Sequence, residues 1–227
     1  MSIIEKKIIA IGGVGVSPES DKELDNFIIN HSKKMKNNIG FLGTASKDDK
    51  EKINKFYKRF DYTSSELSHF NLTSDIDGFH EWLLNKDIVY VGGGNTFYML
   101  EIWKKNNLEQ VFKKAYEKGL ILSGVSAGAV CWFEWILSDS MGRGFEPLKG
   151  INLIEGSCTP HSDNIERINE FEFNIKNNKL PNGVAIDDGV AVVFIDGKPT
   201  EVYSSINNHN AYFLDKNTKI NLKEYIK

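Results

Sequence analysis

In this chain short runs rich in Ile and Val alternate with helix-length amphipathic stretches, an alternation that leaves few folds open. Runs that are apolar throughout suit strands buried on both faces, and the stretches between them suit the crossovers that parallel strands require. The strand-like runs are Lys7 to Ile11, Ile39 to Gly43, Ile88 to Val91, Leu120 to Gly124, Gly183 to Ile186 and Val190 to Ile195, with a further one at Glu201 to Ser204. The helix-like segments are Pro18 to Lys36, Lys50 to Phe60, Asp77 to Leu84, Thr96 to Asn106, Leu108 to Lys118 and Asn164 to Asn177. Several open on Ser, Thr, Asp or Asn, whose side chains accept from the unpaired amides of a first helical turn. The pattern predicts an α/β fold with a largely parallel sheet covered by helices on both faces. Phe194 to Tyr203 reads as a hairpin at a sheet edge, because Asp196-Gly197 tolerates the positive φ of a tight turn.

The 227 residues suit one domain, 1–227, with no repeat, low-complexity segment or linker to divide it. Hydrophobic residues make up 41%, enough to build a core. The 28 basic and 31 acidic residues are dispersed, so nothing focuses the positive field that nucleic acid requires. Lysine-rich stretches at Lys33–Lys36 and Lys47–Lys58 are broken by acids and asparagines and read as solvated helix faces. No apolar run approaches the roughly 20 residues that cross a bilayer, so no membrane partner is expected. The N-terminus enters a strand without a signal-like segment, which predicts a cytoplasmic protein with reduced cysteines; a monomer or a homodimer is expected, and the sequence favours neither.

The chemistry concentrates where the run Leu120–Gly124 enters Gly124-Val-Ser126-Ala-Gly128 and then a helix-like stretch. A serine on a sharp strand-to-helix turn is held in strained backbone, and glycines two before and two after let neighbouring backbone approach. Ser126 is therefore a candidate nucleophile, and the Ala127 amide, at a helix N-terminus, a candidate oxyanion donor. A second strand ends in Gly92-Gly93-Gly94-Asn95-Thr96 and enters another helix. Without a P-loop lysine or G-x-G-x-x-G spacing, its exposed amides suit a second oxyanion donor, at Gly93 and Gly94, better than a nucleotide phosphate.

Serine needs a base, and His161 in Thr159-Pro-His-Ser-Asp163 lies in a polar loop downstream of the elbow. His31, His69, His80 and His209 read as surface or packing residues. For the carboxylate that orients the imidazole the candidates are Asp139, Glu134, Asp187 and Asp188. Asp139 is preferred, because it lies between nucleophile and base in polar surroundings, whereas Asp187-Asp188-Gly189 reads as a turn between strands. Cys131 lies in an apolar stretch, and the spacing to Cys158 is not that of paired metal ligands. Neither a cysteine nucleophile, a metal nor another cofactor is expected.

Taken together, Val91-Gly-Gly-Gly-Asn-Thr-Phe97, Gly124-Val-Ser-Ala-Gly-Ala129 and Pro160-His161 resemble the peptidase E family of serine peptidases, family S51. The resemblance covers the chain from the first strand to about Val193. It implies a three-layer αβα sandwich like that of class I glutamine amidotransferase domains, with serine where those domains carry cysteine. It also implies Ser126 as nucleophile, His161 as base and the Gly92–Gly94 loop as part of the oxyanion hole. The family's aspartate reaches Asp139 only when the segment after Ser126 is slightly shortened. The arginine with which aspartyl dipeptidases read an acidic side chain has no counterpart here; the aligned position is nearer Asn164. Asn95, Asn164 and Arg167 are the expected substrate-binding residues, with Arg143 a further source of positive charge. The expected activity is hydrolysis of small peptides, as by dipeptidase E; the alternatives are an esterase, a cyanophycinase-like isopeptidase and a non-catalytic metabolite-binding protein.

Overall fold

A computed structural model describes residues 4–15 and 17–226. Among them the larger sheet has seven strands, in the order β11 (Lys198–Ser204), β10 (Val190–Ile195), β1 (Lys7–Ile11), β5 (Ile121–Val125), β4 (Ile88–Val91), β2 (Asn38–Leu42) and β3 (Glu66–Phe70). From β1 to β3 all neighbours are parallel. At the other edge β10 and β11 form the expected antiparallel hairpin, with Asp196 and Gly197 both at positive φ, as a two-residue turn matched to the strand twist requires.

One face of this sheet is covered by α1 (Pro18–Asn30) and α2 (Lys50–Phe60), whose Leu24, Ile28, Ile53, Phe56 and Phe60 pack on Ile9, Ile11, Ile39 and Phe41. Helix α1 stops at Asn30 instead of continuing to Lys36, because the residues beyond carry no apolar face: Met35, the one large hydrophobic there, is 99% exposed. The other face is covered by α3 (Phe79–Leu84), α4 (Thr96–Lys105) and α5 (Leu108–Glu117), with Trp103, Phe112 and Trp132 in mutual ring contact at 4.5 to 5.8 Å.

A second, six-stranded sheet packs on that same face, in the order β13 (Lys219–Asn221), β12 (Ala211–Leu214), β9 (Gly183–Ile186), β8 (Ile154–Thr159), β6 (Phe133–Ser138) and β7 (Glu146–Lys149). Its middle strands β6, β8 and β9 are parallel, and α7 (Ile165–Lys176) covers its far side through Ile168, Phe171 and Ile175. The sequence reading expected one sheet, and the run after the elbow carried no strand expectation. Here Trp132 and Phe133 are buried where the chain enters β6 from the short helix α6 (Ala127–Val130), and a last short helix, α8 (Leu222–Tyr225), closes the chain. The result is an α/β fold with mixed sheets flanked by helices.

Helices α1 and α2 are tied by a buried ion pair. Arg59 donates from Nε and Nη2 to the two carboxylate oxygens of Asp25 at 2.9 and 2.6 Å, and Asp25 is 1% exposed. Removing one partner of such a pair strands a charge away from water, which costs about 3 kcal/mol or more. Asp25→Ala is accordingly expected to lower the urea unfolding free energy by about that amount, with an unchanged m-value; a loss under about 0.5 kcal/mol would show the pair to be no more than a surface contact.

Candidate active site

Parallel strands place all their C-terminal ends at one edge, and the loops leaving that edge build the site. Strand β5 delivers Ser126, whose backbone lies at φ 54° and ψ −115°, outside the regions comfortable for a residue with a Cβ. The strain is held by packing: the Ser126 amide donates to the Ile11 carbonyl at 2.9 Å, and the following turn presses on the neighbouring strand. A Cβ at Gly128 would lie 2.0 Å from the Val91 carbonyl oxygen, so this position of the elbow accepts only glycine.

His161 and Asp188 come from the second sheet, each two residues beyond the end of adjacent parallel strands, β8 and β9. The Ser126 hydroxyl is 2.8 Å from His161 Nε2, and His161 Nδ1 is 2.5 Å from Asp188 Oδ1. A carboxylate only accepts, so Nδ1 carries the proton and Nε2 is left to accept from the serine hydroxyl. The side chains of His161 and Asp188 are 35% and 34% exposed, open enough for a substrate to approach.

Asp139, the carboxylate preferred from the sequence, is not on this path. It accepts from Arg167 Nη2 at 3.0 Å, and Asp188 takes the place beside His161. The turn reading of Asp187-Asp188-Gly189 was correct but incomplete. The flanking strands belong to different sheets, so the turn carries the chain from one sheet to the other across the site instead of closing a hairpin. Asp187 is a scaffold: it accepts from the Ser162 hydroxyl at 2.5 Å and from the Asn210 amide at 2.9 Å. Glu134 lies apart, on β6, with an oxygen 3.4 Å from the Gly156 amide.

Several residues that hold Asp188 carried no catalytic signal in the sequence. Its amide donates to Asp163 at 3.0 Å, and its carbonyl lies 2.9 Å from His209 Nδ1, a histidine read as surface or packing. Gly13, just beyond β1, packs on the pair so closely that a Cβ would fall 1.9 Å from Asp188 Oδ1 and 2.7 Å from His161 Nδ1. A glycine pair after the first strand was the one available hint. Gly13→Ala is expected to displace the carboxylate from the imidazole and lower kcat about 100-fold, the scale of an ångström-sized misplacement, with the unfolding midpoint nearly unchanged; wild-type turnover in this variant would show that the contact yields freely.

Among the described residues, the amides of Gly93, Gly94 and Ala127 have no backbone or side-chain acceptor. Gly93 and Ser126 are neighbours, since a Cβ on Gly93 would be 3.3 Å from Ser126 Cβ. These amides can receive negative charge developing next to the serine. Of the expected substrate-binding residues, Asn95 caps α4 by accepting from the Tyr98 amide and donates to the Ser140 carbonyl. Asn164 caps α7 by accepting from the Arg167 amide. Arg167 is 8% exposed, paired with Asp139 and stacked over Phe145.

Two cavities meet at Ser126 and His161. A polar one of about 550 Å³ is bordered by Asp139, Asn164, Arg167 and Asp188. An apolar one of about 300 Å³ is bordered by Phe41, Phe56, Phe60, Tyr90 and Val125, with Lys52, Lys55 and Arg59 on its α2 side. Burial pushes the Tyr90 hydroxyl up to about 12. Cys131 and Cys158 are both buried, which pushes their thiols well above the usual range and away from the reactive thiolate form. No helix of the described residues is long and apolar enough to cross a membrane.

A strained serine hydrogen-bonded to an imidazole, with free amides beside it on an α/β scaffold, defines a serine hydrolase. The model of peptidase family S51 matches residues 8–202, and the chain belongs to that family of serine peptidases. It is 38% identical over 213 residues to the uncharacterized peptidase YgaJ of Bacillus subtilis, covering 91% of each chain. To a peptidase E of Nostoc sp. it is 26% identical over 150 residues, 63% of this chain and 58% of the relative. Among solved structures it resembles a peptidase from an acI-B1 Actinobacterium, with a TM-score of 0.70 at 18% identity over 96% of this chain and 93% of that one. It also resembles a putative peptidase E of Listeria monocytogenes, with a TM-score of 0.60 at 17% identity over 96% and 98%.

Proposed function

We propose that this serine peptidase hydrolyses small peptides, as a dipeptidase, through Ser126, His161 and Asp188. The observation that carries the reading is the continuous path from the Ser126 hydroxyl through both imidazole nitrogens to Asp188. Ser126 Oγ attacks the scissile carbonyl while its proton passes to His161 Nε2, and Asp188 holds the ring in the required tautomer and stabilises the imidazolium. The carbonyl oxygen becomes an oxyanion that accepts from Ala127 and the Gly93–Gly94 loop. His161 returns the proton to the departing amine, leaving an acyl group on Ser126. Water then attacks that ester, with His161 taking its proton and returning it to the departing Ser126 Oγ, and the free acid leaves.

The apolar cavity limits the size of the substrate: at about 300 Å³ it is at the small end of ligand sites and suits one bulky side chain better than a folded polypeptide. The test is a panel of dipeptides, tripeptides and a denatured protein offered to the wild-type chain, with released amine as readout. Dipeptides are expected to be cleaved and the denatured protein not. Turnover of simple esters with no peptide cleaved would replace this reading with an esterase.

A further inference from the structure

We infer that the apolar cavity beside α2 receives the C-terminal residue of the substrate, with Lys52 and Lys55 binding its free carboxylate. The inference rests on the peptidase reading and adds which end of the peptide lies in which cavity. The floor and the rim of this cavity differ in chemistry. Phe41 and Phe56 stack at 4.9 Å, and Phe60 and Tyr90 complete an aromatic floor suited to a bulky apolar side chain.

The rim carries three cations on α2, and they are not equivalent. Arg59 is spent on Asp25, which accepts from two of its nitrogens, and a second carboxylate, Asp21, lies 3.9 Å from Nη1. Lys52 and Lys55, three residues apart on the same helix face, have no carboxylate oxygen within 4.0 Å among the described residues. The cavity thus presents two ammonium groups without a paired carboxylate above apolar rings, the complement of a carboxylate attached to an apolar residue. Lys55 also acts on the Asp25 carboxylate, from which Lys52 is the farther of the two.

Position makes the carboxylate the terminal one. The Lys52 ammonium donates to the Gly93 carbonyl at 3.3 Å, and Gly93 is also the neighbour of Ser126. A group bound by Lys52 therefore belongs to one of the two residues that flank the scissile bond, since one extended residue spans only about 3.5 Å, and the leaving-side residue is the one that ends in a carboxylate. In a peptide with a single residue after the cleaved bond, that group is the C-terminal carboxylate. An acidic side chain fits less well, because its charge would lie over the aromatic floor.

The test is equilibrium binding, by calorimetry, to the Ser126→Ala chain, which reads recognition without turnover. The ligands are Ala-Phe, Ala-Phe-amide, Ala-Ala and Ala-Glu-amide. Ala-Phe is expected to bind about 10-fold more tightly than its amide, the scale of a charge-assisted contact at a partly exposed site. It is also expected to bind about 10-fold more tightly than Ala-Ala. In the Ser126→Ala/Lys52→Met/Lys55→Met chain, which keeps the aliphatic stems at two exposed positions, the preference for acid over amide is expected to vanish while amide binding is unchanged. Equal binding of acid and amide, a preference that survives loss of both lysines, or tighter binding of Ala-Glu-amide would each overturn the inference. Failure of the peptidase reading is seen separately, as wild-type chain that binds these peptides and releases no amine.

Discussion

Ser126→Ala is expected to reduce kcat on the best dipeptide by about 10⁶-fold, the scale on which a serine peptidase depends on its nucleophile, and to leave dipeptide binding nearly intact. The size follows from the site. Removing Oγ deletes the atom that bonds to the carbonyl, whereas the amides of Gly93, Gly94 and Ala127 remain and retain a small residual rate over water. The substitution changes little in the fold, because the hydroxyl is hydrogen-bonded to His161 and an alanine keeps the same Cβ. Stopped assays with product quantified against a blank measure the loss. A fall of less than 10-fold would transfer the chemistry to another residue.

Asp188→Asn is expected to lower kcat by about 10⁴-fold, the second largest effect. The amide is nearly isosteric, but its NH₂ can face His161 only by donating, so the ring turns its protonated nitrogen toward Ser126 and can no longer take the serine proton. Asp139→Asn separates this assignment from the one preferred in the sequence. That change weakens the partner of the buried Arg167 in the polar cavity, so it is expected to act on KM and stability and to leave kcat within a few-fold. A 10⁴-fold loss in Asp139→Asn with a mild effect in Asp188→Asn would reverse the two roles.

The residues that were legible in the sequence are those whose role is written in local chain geometry. Ser126 stands at the end of an apolar strand among small residues and the Gly92–Gly94 loop follows another strand of the same sheet, while His161 stands out as a histidine in a polar loop downstream of the elbow. Helices α2, α4, α5 and α7 have bounds within a residue or so of their sequence reading, because caps and apolar spacing are local signals. The acid was not legible in this way. Asp188 becomes the neighbour of His161 only because β8 and β9 pair in a second sheet, a non-local fact carried by runs such as Phe133–Ser138 and Ile154–Thr159, whose mixed composition hides their strand character. Gly13 and His209 act through contacts across the same sheet boundary and were hidden for the same reason.

The central claim is that Ser126 is made nucleophilic by His161 and Asp188. It is tested most directly by the rate of covalent labelling with a fluorophosphonate, with the labelled peptide located by mass spectrometry in the wild-type, His161→Ala and Asp188→Asn chains. The geometry predicts one label, on Ser126, formed rapidly in the wild type and at least about 100-fold more slowly in both variants, since general-base assistance contributes at least that factor. Labelling at another residue, or equal rates in all three chains, would contradict it.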